Sequence, residues 1–356
     1  MRRLFCVIML MILLGGQACA VDLSLPEELR NTAPEAAKLM GEDPAEGFGL
    51  VDGAAEILRR GLTEMRAEVF SGARAIAGLM LGVILLGIVE SLSDDDRIRK
   101  YATVVGALWI TAVSAGDVST LIGLGQDTIA RVSELSKLLM PVLCAATAAT
   151  GGVTSASVRQ VGTVLFSDIL LTTIERIMIP ALYLYIGTAA ASCVMEEGTM
   201  ERIGGLIKKA VIWGLSGLVA MFTSYLTISG AIAGTVDAQA LRLAKTAVST
   251  VVPVVGGILA EAAESVLAGA GLLRGMTGVF GALAVLSLCI APFLRLGMQY
   301  LFYQAAGFVA QAAGPKKLTK LFEMIGDAFA LILAMTAACA LALIISLVST
   351  LTVVVT

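Results

Sequence analysis

Apolar positions fill most of this chain in long runs, broken by short polar gaps. Residues 75–92 form the first long run of the body of the chain. A polar stretch at 93–100 follows, carrying Arg97, Arg99 and Lys100, and residues 101–116 are apolar again. The next stretch, 117–137, holds Asp117, Asp127, Arg131, Glu134 and Lys137 and reads as an outer loop or surface helix. Eight further apolar segments come after it: 138–157, 161–174, 177–195 and 210–233, then 250–269, 273–286, 289–307 and 322–345. A helix needs roughly 20 apolar residues to cross a hydrocarbon core. The pattern therefore predicts an all-α, polytopic integral membrane helical bundle with about 8–10 membrane segments. Two of them, 161–174 and 273–286, are short enough to be re-entrant or tilted.

The N-terminus follows a different rule. Arg2 and Arg3 precede a short apolar run, which ends in Gly15-Gly16-Gln17 and then Ala18-Cys19-Ala20. A charged start, a short apolar stretch and small residues at the end are the parts of a cleavable signal peptide. Residues 1–20 are read as that peptide, cut between Ala20 and Val21. A lipoprotein reading on Cys19 is weaker, because Gly16 stands where that motif wants a large apolar side chain. Residues 21–70 are read as an extracytoplasmic segment. Its first part is polar, with Pro26, Pro34 and Pro44 as breakers. In its second part Leu58, Leu62, Met65 and Val69 recur at helical spacing among charged residues, which predicts an amphipathic helix on the outer membrane surface or against a partner, or else packed on the protein's own membrane helices. Residues 71–137 then give a first membrane hairpin and outer loop, and 138–356 a core membrane domain.

Composition narrows the class. Of 356 residues, 58% are hydrophobic and 15% charged, against about 25% charged in soluble domains. Net charge is −3, so no basic surplus points to nucleic acid. Histidine is absent, which removes the commonest general base and metal ligand. The six cysteines form no CxxC pair, and the last four lie in apolar stretches as small core side chains. The sequence holds no Walker, HExxH or GxSxG motif, and no catalytic, cofactor or metal residue is assigned.

Polar groups inside apolar runs are the remaining candidates. A charge at the centre of a membrane helix costs about 3 kcal/mol on insertion scales, so it needs a partner, water or neutralisation. Asp168 stands in 161–174, Glu175 and Arg176 close that segment, and Glu261 and Glu264 share a helix face at i, i+3. These five either line a polar pathway or lie near interfaces and hold helices together. Pro141, Pro180, Pro253 and Pro292 are candidate helix kinks. An offset of 112 residues maps Pro141 onto Pro253, Pro180 onto Pro292 and Lys208 onto Lys320, which suggests a tandem internal repeat of 138–233 and 250–345. The basic residues Arg202, Lys208, Lys209 and Lys316, Lys317, Lys320 fall at equivalent places and are assigned to the cytoplasmic side.

Four stretches carry a resemblance. They are Asp94-Asp95-Asp96-Arg97 leading into 101–110; Leu139-Met140-Pro141 leading to Gly151-Gly152; Val251-Val252-Pro253-Val254-Val255-Gly256-Gly257 leading through Glu261 and Glu264 to Arg274; and Pro292-Phe293-Leu294-Arg295 leading to Tyr300. In order and spacing, behind a signal peptide, they resemble the stage III sporulation protein AE family over about residues 70–356. The resemblance implies a non-enzymatic, permease-like membrane subunit in the mother-cell membrane surrounding the forespore. It implies the lipid bilayer, other stage III sporulation A membrane proteins, a separate ATPase subunit and a forespore partner as its company, in a secretion-like channel complex that supports late forespore development. It implies no site residues. The other reading of the residues is an independent secondary transporter using Asp168 and its fellow carboxylates.

Overall fold

The computed structural model describes Pro34 and residues 50–195, 198–251, 256–313 and 315–351. The signal peptide with its Ala20–Val21 cleavage point, most of the polar segment after it, and Pro253 lie outside the described residues. The side chains of Glu261 and Glu264 also lie outside them, although their backbone is helical.

Among the described residues the chain forms helices joined by tight links. They are α1 (Leu50–Glu64), α2 (Arg66–Leu92), α3 (Asp96–Ala149), α4 (Val153–Thr173), a single π-helical turn (Ile174–Met178), α5 (Ile179–Val194), α6 (Thr199–Val251), α7 (Gly256–Ala313) and α8 (Lys316–Leu351). With α4, the π turn and α5 taken as one rod, six helices are long and apolar enough to cross a membrane. The protein is a polytopic, all-helical membrane protein.

The segments read from the sequence merge into fewer, longer rods, and the reasons are local. Residues 117–137 lie in the interior of α3 rather than between spans. Their polar side chains sit at helical spacing, which leaves Val118, Leu121, Ile122, Ile129, Val132 and Leu135 on one face, all buried in the core. The segment 138–157 is instead cut in two. At Gly151 φ is +92°, a left-handed backbone that only glycine adopts without strain. The Gly152 N–H donates to the Thr147 carbonyl and the Gly151 N–H to the Ala148 carbonyl, the paired bonds of a Schellman stop. Segments 161–174 and 177–195 join through the π turn. Segments 273–286 and 289–307, with most of 250–269, are one helix, α7, which runs through Pro292. At 1.5 Å per residue α3, α6 and α7 are each roughly 80 Å long, so only part of each fits in a hydrocarbon core about 30 Å thick.

The core centres on α8, which packs against α3, α4, α5, α6 and α7. Its Leu321, Phe322, Ile325, Ala328, Phe329 and Ile332 are almost fully buried. Close approach depends on glycine at a few points. A Cβ added at Gly281 of α7 would lie 2.4 Å from Leu139 of α3 and 3.1 Å from Leu347 of α8. The amphipathic helix α1 packs on the protein's own α7, where a Cβ at Gly61 would lie 3.2 Å from Ile290. Its buried stripe is Gly53, Ile57 and Gly61, continued just past its end by Met65; of the expected stripe Met65 is buried, whereas Leu58 and Leu62 are exposed. On its outer side Arg60 donates to Glu56 at 2.8 Å, which holds the Glu56 carboxyl below its ordinary value.

The boundaries of the expected repeat, 138, 233, 250 and 345, all fall inside helices. The matched prolines Pro180 and Pro292 occupy different backbones. Pro180 opens α5 just after the π turn, whereas Pro292 lies within α7.

Candidate functional site

The carboxylates singled out above do not gather in one cavity among the described residues. Asp168 of α4 sits on the outside of the bundle with about half its side chain exposed, and pairs with Lys137 of α3 at 2.9 Å. Glu175 and Arg176 lie in the π turn and are also exposed. That turn has a backbone cause. Pro180 lacks an N–H and its ring clashes with the carbonyl four residues back, so an α-helix cannot run through it undisturbed. Here the Ile179 N–H reaches the Ile174 carbonyl, five residues back, and the rod continues into α5. Pro141 and Pro292 leave the Lys137 and Leu288 carbonyls without their helical donors while α3 and α7 continue.

The polar groups that do gather form two layers across the bundle. The first begins at a cavity of about 350 Å³ between the α1–α2 arm, α3 and α7. Asp117, Arg295 and Gln299 line it. The Gln299 amide donates to Asp117 at 3.3 Å, and the Arg295 charge acts on the same carboxylate. Beneath them the fully buried Tyr303 shares a hydrogen bond of 2.7 Å with Ser114 and packs its ring against Phe322 and Phe329. Tyr303 also lies against Gly326 of α8, whose neighbour Asp327 carries the layer to the far side. Asp327 accepts from Lys208 of α6 at 2.6 Å and from the Tyr185 hydroxyl of α5 at 3.3 Å. Five helices thus contribute to one belt of acids, bases and hydroxyls.

The second layer lies at the end of the bundle where the α3–α4 link sits. Asp237 of α6 is buried and accepts the backbone N–H groups of Thr154 and Ser155 at 2.9 and 2.8 Å, capping α4 from another helix. Its charge also suits the positive end of the α4 dipole. One turn further on, Arg159 is buried, donates to Ser349 of α8, and leans over Gly230 of α6, where a Cβ would come within 2.8 Å of the guanidinium. Its Nε has no hydrogen-bond partner among the described residues. Thr163 and Ser346 share a 2.6 Å hydrogen bond alongside. Phe166 and Phe222, stacked 3.9 Å apart, fill the space one turn of α4 beyond Thr163.

Sequence reasoning missed Asp117, Asp237, Asp327 and the burial of Arg159. Asp117 fell in a stretch read as an outer loop or surface helix, Asp237 in the gap between the segments 210–233 and 250–269, and Arg159 in the gap between 138–157 and 161–174. Asp327 carried a readable signal, since apolar residues flank it on both sides: Ile325-Gly326 before and Ala328-Phe329 after. The cysteines are where composition put them: Cys144, Cys193, Cys289 and Cys339 are free and buried.

Residues 51–354, from α1 to past the end of α8 and through both polar layers, match the family described as stage III sporulation protein AE. The chain belongs to that family. A curated relative named stage III sporulation protein AE, from Bacillus subtilis (strain 168), is 21% identical over 283 residues, which cover 79% of this chain and 71% of the relative. No solved structure matches. This family member is therefore a sporulation protein as well as a multi-pass membrane protein.

Proposed function

We propose that the protein is a non-enzymatic subunit of a secretion-like channel complex that links mother cell and forespore, seated in the mother-cell membrane around the forespore. Besides family membership, one observation carries the reading. Asp127, Arg131, Glu134 and Lys137 are all exposed on one side of α3, far from either end of that helix, with Asp168 of α4 beside them. A mixed-charge stripe of this kind is a good neighbour for another protein's polar groups. The protein acts beside other stage III sporulation A membrane proteins, with energy from a separate ATPase subunit and a forespore partner across the gap.

Purification from sporulating cells in mild detergent should recover those membrane proteins together. The double variant Arg131→Glu/Lys137→Glu should lose them and still fold. Deleting the gene should stall sporulation after engulfment with normal vegetative growth. Normal spores, or a lone monomer that transports by itself, would overturn the proposal.

A second reading rests on the cavity at Asp117, where a carboxylate, a guanidinium and an amide converge. An independent secondary transporter would use such a site, with Asp168 as a further carboxylate. It requires pH- or ion-dependent uptake in proteoliposomes that Asp117→Asn or Asp168→Asn abolishes. A flat response from folded protein removes it.

A further inference from the structure

A second cavity, about 870 Å³, opens at the opposite end of the bundle from the Asp237 cap. Arg97, Arg99, Lys100, Lys316 and Lys317 line it, with Glu90 as the one carboxylate among the described lining residues. The two basic groups come from chain segments more than 200 residues apart, the first turns of α3 and α8, which fold to one place. Both helices begin there, so the positive ends of two helix dipoles point the same way as the side-chain charges. Lys317 is tied to the end of α5, donating to the Cys193 and Met195 carbonyls at 3.2 and 3.3 Å; these partners are neutral and leave its charge in place. Arg99 donates to the Ser93 carbonyl. The cavity is therefore a cradle for negative charge, with Arg99 and Lys317 held by backbone carbonyls.

Its surroundings say which anion. The end of α2 stands beside it at Glu90, and round the same helix Leu85, Ile88, Val89 and Leu92 form an exposed apolar outer face. Tyr101 and Val105 of α3, also exposed, flank it. This is the join between an apolar span and a basic helix start, which the positive-inside rule puts at the cytoplasmic interface. A free anion would use the charge and ignore the apolar face, whereas a phospholipid uses both.

We propose that this cleft binds the phosphodiester headgroup of an anionic phospholipid, with the acyl chains lying along α2. The proposal stands apart from the role in the channel complex. It is tested on the full chain in a neutral detergent by equilibrium binding of short-chain phosphatidylglycerol, phosphatidylcholine of the same chain length, and glycerol phosphate. Phosphatidylglycerol should bind saturably and at least about tenfold tighter than either control. Arg97→Gln/Lys316→Gln should weaken it about 25-fold, roughly fivefold per basic residue. Arg202→Gln/Lys209→Gln removes equal charge outside the cleft and should leave binding within about twofold. Arg97→Lys/Lys316→Arg should keep it. Equal binding of phosphatidylcholine, glycerol phosphate binding as tight as the lipid, or equal losses in both Gln pairs would each overturn the proposal. An independent readout uses the unaltered protein. A photoreactive phosphatidylglycerol should crosslink to residues 90–104 and 315–317, and crosslinking confined to other segments would overturn it as well.

Discussion

Single residues decide how this bundle closes at its ends. Asp237 does the work of an N-cap for α4 from a position more than 80 residues away in sequence. Losing a capping oxygen costs about 1–2 kcal/mol, and two N–H groups, that of Ser155 buried and that of Thr154 half-buried, would be left without an acceptor. Asp237→Ala should therefore lower the melting temperature of the detergent-purified protein clearly, and Asp237→Asn, which keeps one acceptor, by less. A melting temperature unchanged in Asp237→Ala would remove the cap from the account. Lys208 and Asp327 have about a third and a quarter of their side chains exposed, so their pair sits between the surface and buried cases. Its coupling should be about 1 kcal/mol, above the usual surface pair and below a fully buried one. A double-mutant cycle on Lys208→Gln and Asp327→Asn measures that coupling directly, and a value near zero would mean that the two groups merely lie side by side.

At the scale of elements, long helices need close contact more than they need stops. Gly281 lets α7 approach α3 and α8 together, with Leu139 and Leu347 facing its bare backbone. Both leucines are nearly fully buried and have little room to turn away. Gly281→Leu should cost about 1–3 kcal/mol by overpacking. Gly269→Leu, where no atom lies within 4 Å of an added Cβ, should cost nothing comparable. Thermal unfolding of the two variants side by side decides the matter, and equal losses would point to a backbone effect of glycine instead. The same scale explains the polar run 117–137. It stays helical because its apolar face finds α8 and α7, while Asp127, Arg131, Glu134 and Lys137 are turned away from them and Asp117 meets Gln299 of α7.

For the whole molecule, the merging of segments leaves sidedness untouched. Five apolar segments precede the 196–209 region in the sequence and five follow it; the structure has three crossing rods before it and three after. Two crossings are lost before that region and two after it, so every basic region keeps its side. The expected topology has residues 93–100, 196–209 and 308–321 in the cytoplasm, and the mature N-terminus, 117–137, 234–249 and Thr356 outside, with 117–137 now part of the rod α3 rather than a loop. Single cysteines replacing Asp94, Thr199, Gln239 and Lys316, all at exposed positions, test it in a cysteine-free background. A membrane-impermeant thiol reagent on intact cells should label only Gln239→Cys. Labelling of Thr199→Cys or Lys316→Cys before lysis would reverse the bundle, and would take the basic cleft away from the cytoplasmic leaflet.

The class of the protein is written in the sequence itself. Fifty-eight per cent hydrophobic residues in long runs can be satisfied only by a bilayer, and helices alone supply every backbone hydrogen bond within a single span. The basic clusters and the family stretches are local too, and they were legible at Arg97–Lys100, Pro141, Pro292 and Lys316–Lys317. The polar chemistry was not. Hydropathy scores each segment against lipid, whereas the fate of a charge depends on what faces it. Asp168 stands in an apolar run yet lies on the outside against Lys137. Asp117 and Asp237 stand in stretches that read as loops, yet one lines a cavity and the other is buried as a cap. Only the packing of helices distant in sequence brings a donor to a carboxylate or withholds one, so tertiary structure alone could decide where the two polar layers lie.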